Sequence, residues 1–305
     1  SSDVCSSDLW MYIDDFLEYL KKKLKKSDNT IEAYTRDVME FSKFVEGRGV
    51  KDLKDVRNTE VVAYMLELKN EGRSAATSNR KLASVRAFYK FMQANGLLDK
   101  LPTEGVKAPK ISKRRLEYLT IREMDRLLKT PDDSLRGKRD SAILELLYAT
   151  GIRVTELIEA DVEDINLRMG FITCAGEQSK ARIIPIGRPA RAVLEEYIYD
   201  VREKLLHDDD SDDEKALFVN YYGKRITRQG LWKILKAYGN KAQLSHKLTP
   251  NIIRTTFAVH MIQNGADLKS LQELMGHEDL TATEIYLSVT KNRIKDVYDR
   301  THPRA

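Results

Sequence analysis

Arg153, Lys180, Arg254, His277 and Tyr286 are residue types that suit one reaction together: attack by a phenolic oxygen on a phosphodiester. A guanidinium offers a planar fork of donors to the two non-bridging oxygens of a phosphate. A tyrosine hydroxyl supplies a covalent nucleophile. Such a transfer calls for neither a metal-ligand cluster nor a glycine loop for a nucleotide, and the sequence offers neither, so no metal and no cofactor is expected. Arg153 follows the glycine turn of YATGIRVTEL, and Glu156 lies one helical turn further on, able to orient it. The start of that short helix also presents N–H groups suited to an anion. His277 lies 23 residues after Arg254, and Tyr286 lies nine after His277.

The elements that must position these residues are mainly helical. Within residues 11–100, Ile31, Tyr34, Val38, Phe41 and Phe44 recur at helical spacing, and Leu82, Val85, Phe88 and Phe91 do so again between Ala75 and Ala94. Four or five helices are expected there, with Ser27, Asp28, Asn29 and Thr59 as capping candidates. Arg73, Arg80, Arg86 and Lys90 gather on the last helix and its approach, as candidate contacts to a polyanion. Residues 101–116 hold Pro102 and Pro109 with the basic run Lys107, Lys110, Lys113, Arg114 and Arg115, which reads as a linker that follows a phosphate backbone.

A second domain is expected over residues 117–305, opening at Thr120 as N-cap. Helices are predicted over Ile121 to Leu128 and Lys138 to Tyr148, then short strands over Phe171 to Ala175 and Arg182 to Ile186 around a turn at Gly176 to Ser179. Lys180 closes that turn, with Arg182 as its nearby competitor. A long helix follows from Pro189 to Leu206, then a brief strand at Phe218 and Val219, then helices to the end, one of them starting near Pro250 and one over Asn292 to Tyr298. The fold class is therefore mainly α with a small β-sheet. The acidic run from Asp208 to Glu214 lacks any ligand periodicity and reads as a solvated loop. Residues 1–10, SSDVCSSDLW, show neither helical nor strand period and read as a non-native or disordered leader.

A net charge of +5 favours an anionic partner mildly, and 32% charged against 42% hydrophobic residues is the balance of a globular protein with buried cores. Cys5 and Cys174 are too few for a disulfide framework and lack metal-site spacing. No apolar run approaches the roughly 18 residues of a membrane helix, and nothing at the start resembles a secretory signal, so the cytoplasm is the expected compartment.

With TGIRVTEL, the strand-turn lysine and GHEDLTATEIY in this order, the second domain resembles the catalytic domain of tyrosine site-specific recombinases. From Met11 onward the chain is similar to the bacterial Xer recombinases, SAATSNRKLASVRAFYKFM and the linker looking like their SAM-like core-binding domain and connector. The resemblance implies that Arg153 and Arg254 grip the scissile phosphate, with His277 as a further phosphate contact. It implies that Lys180 protonates the departing 5′ oxygen and that Tyr286 forms a 3′-phosphotyrosyl bond, without ATP. It further implies a double-stranded DNA site as partner, a homo- or hetero-tetramer on paired sites, and DNA contacts from Arg73, Arg80, Arg86, Lys90, Lys113, Arg114 and Arg115. Resolution of chromosome or plasmid dimers is the activity it suggests.

The sequence departs from the family pattern at Asn251. In the family's His-x-x-Arg motif that position is a histidine, and an amide cannot take or give a proton at neutral pH. Thr255 likewise replaces the histidine usual after the arginine. His260 and His246 are the other imidazoles near this helix. Two rival readings remain: a phage or mobile-element integrase of the same fold, and a DNA-binding protein whose cleavage is weakened or lost, with Asn251 as the symptom.

Overall fold

The computed structural model describes residues 4–25, 27–110, 116–176, 179–206, 215–244, 248–277 and 281–286. The chain divides into two compact units, Ser1–Arg114 and Arg115–Ala305.

The first unit is built from helices α1 (Val4–Lys22), α2 (Asp28–Glu46), α3 (Asn58–Asn70) and α4 (Ala75–Ala94). Helix α1 begins at Val4, inside the stretch read as a non-native or disordered leader. Residues 4–10 hold no proline or glycine, so extending an amphipathic helix through them adds one hydrogen bond per residue fixed, whereas starting a new helix would be unfavourable. Ser27 and Ser74 cap α2 and α4, accepting from the N–H groups of Thr30 at 3.3 Å and Thr77 at 3.1 Å. Thr59 is not a cap. Glu60 reaches back to the Arg57 N–H at 2.8 Å and lets α3 start earlier, at Asn58. Phe16, Phe41, Phe88 and Tyr89 are fully buried, Phe16 meeting Phe88 edge-on at 5.4 Å between ring centres.

Much of the expected linker is docked on this unit. Asn58 donates to the carbonyls of Pro102 (3.0 Å) and Glu104 (2.7 Å), Asn79 donates to that of Pro109 (3.0 Å), and Arg86 donates to that of Val106, whose side chain is buried. Residues 101–110 are therefore held by side chains of α3 and α4 instead of forming a free tether. Lys113, Arg114 and Arg115 lie outside the described residues, as do the acidic run from Asp208 and the helix expected over Asn292 to Tyr298.

The second unit carries α5 (Ile121–Leu128), α6 (Leu135–Thr150) and α7 (Val154–Glu159), then an antiparallel sheet in the order β1 (Ile165–Asn166), β2 (Phe171–Gly176) and β3 (Ser179–Pro185). Helix α8 (Arg188–Glu196) passes through a π-type turn, Tyr197–Val201, into α9 (Arg202–Leu205), and α10 (Arg228–Lys241), α11 (Pro250–Gln263), α12 (Leu268–Met275) and α13 (Thr281–Glu284) follow. The strand expected at Phe218 and Val219 is reduced to an isolated bridge from Val219 to Arg225. The hairpin is longer than expected, its ladder reaching Gly176↔Ser179 with an irregularity after Cys174, so Lys180 belongs to strand β3 and not to the turn.

Helix α11 is the spine of this unit. Thr249 caps it, accepting from the Ile252 N–H at 3.1 Å, and Pro250 fills the first helical position, where a missing N–H leaves no bond unmade. Its buried side of Ile252, Ile253, Phe257, Ala258, Val259 and Ile262 joins α6 to α12. Helices α6 and α12 both end in a left-handed glycine, Gly151 (φ +58) and Gly276 (φ +59). At Gly151 a Cβ would also lie 2.3 Å from the Phe257 ring.

Candidate active site

A helix leaves its last carbonyls without intrahelical partners, and its dipole makes that end negative. At the end of α12 three consecutive carbonyls are each taken by a different arginine. Arg182 Nε donates to Leu274 O at 2.8 Å, Arg254 Nη2 donates to Met275 O at 2.6 Å, and Arg153 Nη2 donates to Gly276 O. Arg254 Nη1 also donates to Gly151 O at the end of α6. The three arginines come from β3, α11 and the N-cap of α7, so one helix terminus gathers side chains that are far apart in sequence. Gly276 has to be glycine for a second reason: a Cβ there would lie 2.9 Å from Arg182 Nη1 and 3.1 Å from Arg153 Nη1.

Glu156 is the carboxylate within this cluster. It accepts the Arg153 N–H at 2.8 Å, Arg153 Nη1 at 2.9 Å, and both terminal nitrogens of Arg182 at 2.6 and 2.8 Å. Burial alone would raise its pKa, but the bonds from Arg182 and Arg153 hold it down to about 2. The N–H of Arg153, expected to face an anion, is thus occupied by Glu156. Three guanidiniums against one carboxylate leave a surplus of positive charge. Burial, followed by the like charge of Arg153, pulls Arg254 down to about 10, still charged at neutral pH. Arg153 keeps 32% of its side chain exposed, whereas Arg182 keeps 8%, which separates the arginine that can reach a ligand from the one that cannot.

His277 Nε2 lies 3.3 Å from Arg254 Nη2, and His277 Nδ1 lies 2.9 Å from Thr283 Oγ1. Because an arginine nitrogen can only donate, Nε2 accepts and the ring proton sits on Nδ1, facing Thr283. Burial and the charges of Arg254, Arg153 and Arg182 push His277 down to about 4, so the imidazole is neutral at pH 7. Tyr286 is 5% exposed and packs with Phe257, Ile262, Leu271 and Met275. Burial pushes its phenol upward, while the Arg254 charge and a hydrogen bond with Thr255 pull it back.

The structure therefore gathers Arg153, Glu156, Arg254, His277 and Tyr286. Lys180 is placed by its backbone on β3, two residues before Arg182, and its side chain lies outside the described residues. Asn251 is exposed near the start of α11, and its carboxamide makes no hydrogen bond among the described residues. His260 is buried elsewhere, 2.9 Å from the Tyr148 hydroxyl, and His246 is outside the described residues. Sequence reasoning weighed Arg182 only as an alternative to Lys180 and passed over Thr283 entirely. Among the described residues no group of histidine, cysteine, aspartate and glutamate side chains has metal-holding geometry.

In the first unit Arg73 pairs with Glu71 at 2.9 Å, and Arg80 with the buried Asp37, which also accepts from Ser84 at 2.8 Å. Arg86 is committed to the Val106 carbonyl, and Lys90 is exposed. Intramolecular partners thus hold three of the four basic residues expected to reach a polyanion, and they fix the direction in which Arg80 points.

Compared with known proteins, residues 117–293 match the pattern described as Phage integrase family, and residues 13–96 match Phage integrase, N-terminal SAM-like domain. The chain is 40% identical to the tyrosine recombinase XerD of Oceanobacillus iheyensis, over 96% of this chain and 98% of that protein. It is 42% identical to a putative tyrosine recombinase of Caldanaerobacter subterraneus, over the same shares. Among solved structures, the XerH site-specific recombinase bound to a palindromic difH substrate superposes with a TM-score of 0.73 at 18% identity, covering 95% of this chain and 94% of that one.

Proposed function

From the premise that the chain belongs to the phage integrase family and is a tyrosine recombinase, we propose that Tyr286 is the nucleophile of an Xer-type DNA strand transfer. The phenolic oxygen attacks the scissile phosphate, forming a 3′-phosphotyrosyl bond and releasing a 5′ hydroxyl. A 5′ hydroxyl from a partner strand reverses the step, so the bond energy is conserved and no ATP is consumed. Arg153 and Arg254 neutralise the charge that grows on the pentacoordinate phosphate, His277 contacts a phosphate oxygen, and Lys180 protonates the leaving oxygen. Glu156 keeps Arg153 in place.

The observation that carries this reading is the arginine surplus beside a buried phenol: Arg153 and Arg182 share the carboxylate of Glu156, and Arg254, bonded to helix-end carbonyls, puts its charge beside Tyr286. A phosphodiester is the ligand whose charge and geometry match. The ring of Tyr286 is packed among apolar side chains while its hydroxyl bonds Thr255 beside the Arg254 charge. In the same reading, Arg73, Arg80, Arg86, Lys90, Lys113, Arg114 and Arg115 contact the DNA backbone. The protein acts as a tetramer on paired sites, with its own copies or a second recombinase, and resolves chromosome or plasmid dimers in the cytoplasm. Among the described residues no helix is long and apolar enough to cross a membrane.

The test is covalent capture on a nicked suicide duplex. Wild-type protein is expected to form the adduct with EDTA present, and Tyr286→Phe to bind the duplex equally while forming none. An adduct from the phenylalanine variant, or loss of the wild-type adduct in EDTA, overturns the mechanism. Binding without any adduct would favour the rival reading of a DNA-binding protein.

A further inference from the structure

Thr283 is fully buried, and its hydroxyl lies 2.9 Å from His277 Nδ1. A buried hydroxyl is unfavourable unless bonded, and valine has nearly the same shape without that demand. The hydroxyl therefore has to be explained by its partner. His277 is bracketed, with Thr283 at Nδ1 and Arg254 at Nε2. The other charges facing the ring are Arg153 and Arg182, and Gln272 donates to the His277 carbonyl at 3.2 Å.

We infer that Thr283 is the positioning residue that holds the His277 ring and allows it to present an Nε2–H to a bound phosphodiester. In the free protein Nε2 accepts from Arg254, which places the ring proton on Nδ1, and the Thr283 oxygen accepts it. A phosphate oxygen in front of Nε2 offers only lone pairs, so the ring must carry its proton there. The neutral ring then has a bare Nδ1, which needs a donor. A hydroxyl can be either partner, because rotation about Cβ–Oγ1 turns it from acceptor to donor. In the exchange one proton leaves Nδ1 to water and one from water joins Nε2, so the charge of the neutral ring is unchanged. A carbonyl could serve only the first state and a valine neither. Thr283 also stands one turn before Tyr286, on the segment of α13, so the same bond ties the segment carrying the nucleophile to the phosphate-facing imidazole.

This inference rests on the strand-transfer reading, and its test separates the two. Full-length wild type, Thr283→Val and Thr283→Ser are compared on a nicked duplex selected from a randomised pool for tight binding. Single-turnover adduct rates are measured from pH 5 to 9 together with the duplex Kd. The valine variant is expected to cleave about tenfold more slowly, the effect of losing one buried hydrogen bond, with Kd within about twofold of wild type. Serine is expected to restore most of the rate. Equal rates for wild type and valine at every pH overturn the proposal, as does a serine variant as slow as valine. In the free proteins, nitrogen NMR of the His277 ring should show a protonated Nδ1 whose signal moves in the valine variant and not in the serine variant. If wild type forms no adduct, the strand-transfer reading fails, while an unmoved Nδ1 signal in valine independently rejects the Thr283 bond.

Discussion

Replacing Glu156 by glutamine leaves two guanidiniums, Arg153 and Arg182, facing a neutral amide at a site where the carboxylate side chain is 5% exposed. The size of the effect follows from the carboxylate's own titration. Its folded pKa is about 2 against an ordinary 4.5, and a difference of that size corresponds to about 3 kcal/mol of folding stability at neutral pH. That value agrees with the roughly 3–5 kcal/mol lost when one partner of a buried pair is removed. The folded pKa is the depressed one, so the contribution is complete above pH 4.5 and is lost as pH falls towards 2. At pH 3 about 2 of the 3 kcal/mol should already be gone.

Trp10 and Trp232 are the chain's two tryptophans, and Trp232 lies on α10 of the second unit. In a Trp10→Phe background, urea unfolding followed by fluorescence therefore reports on the unit that holds the site. Glu156→Gln should lower its stability by about 3 kcal/mol at pH 7, equivalent to roughly 6–12 °C in Tm, and the gap between the two proteins should shrink towards pH 3. A gap below about 1 kcal/mol at pH 7, or one that does not change with pH, would refute the assignment of Glu156 as the shared counter-ion.

Three further outcomes are expected. Gly276→Ala puts a Cβ against Arg182 and Arg153 at a left-handed position and should cost about 1–2 kcal/mol by denaturation and slow adduct formation at least tenfold; a wild-type rate would mean the arginines can shift without loss. His277, held at about 4 by burial and by Arg254 against an ordinary 6.5, contributes stability that is full above pH 6.5 and lost as pH falls towards 4. A phosphate that meets the neutral ring at Nε2–H adds no proton to it, so the duplex Kd should respond to pH between 7.5 and 5.5 equally in wild type and in His277→Gln; a steeper slope in wild type would show that the ring is protonated on binding. Asn251 is exposed, so Asn251→His introduces an imidazole without a clash and should speed adduct formation at least roughly tenfold if a base is missing there; an unchanged or slower rate, with a further loss in Asn251→Ala, would show a site adapted to the amide.

The grouping of the candidate residues was legible because motif spacing on helices survives folding: Arg153, Arg254, His277 and Tyr286 lie in one cluster. The supporting partners were not. Arg182 matters because of Glu156, 26 residues away, and the carbonyl of Leu274, 92 residues away, and no local pattern announces a bond to a backbone oxygen. The buried Asp37 shows the same limit. Its place beside Val38 and Phe41 marks the inner face of α2, yet its partners Arg80 and Ser84 come from α4 and follow only from the packing. The start of α1 and the full length of the hairpin were not legible because weakly patterned residues adopt whatever element their neighbours propagate.

Anions are usually met by helix N-termini, where N–H groups point outward. Here the opposite pole does the positioning. Carbonyls at the ends of α12 and α6 attract guanidiniums and so collect their surplus charge in one place. An arginine held at several nitrogens loses little conformational freedom when DNA arrives, so the electrostatic part of the site is built before the substrate binds. The phenol is treated differently, since it stays in an apolar cluster and is tied to Thr255. In the proposed strand transfer, a phosphate grip built in advance and a phenol packed apart from solvent would separate binding the DNA from cutting it.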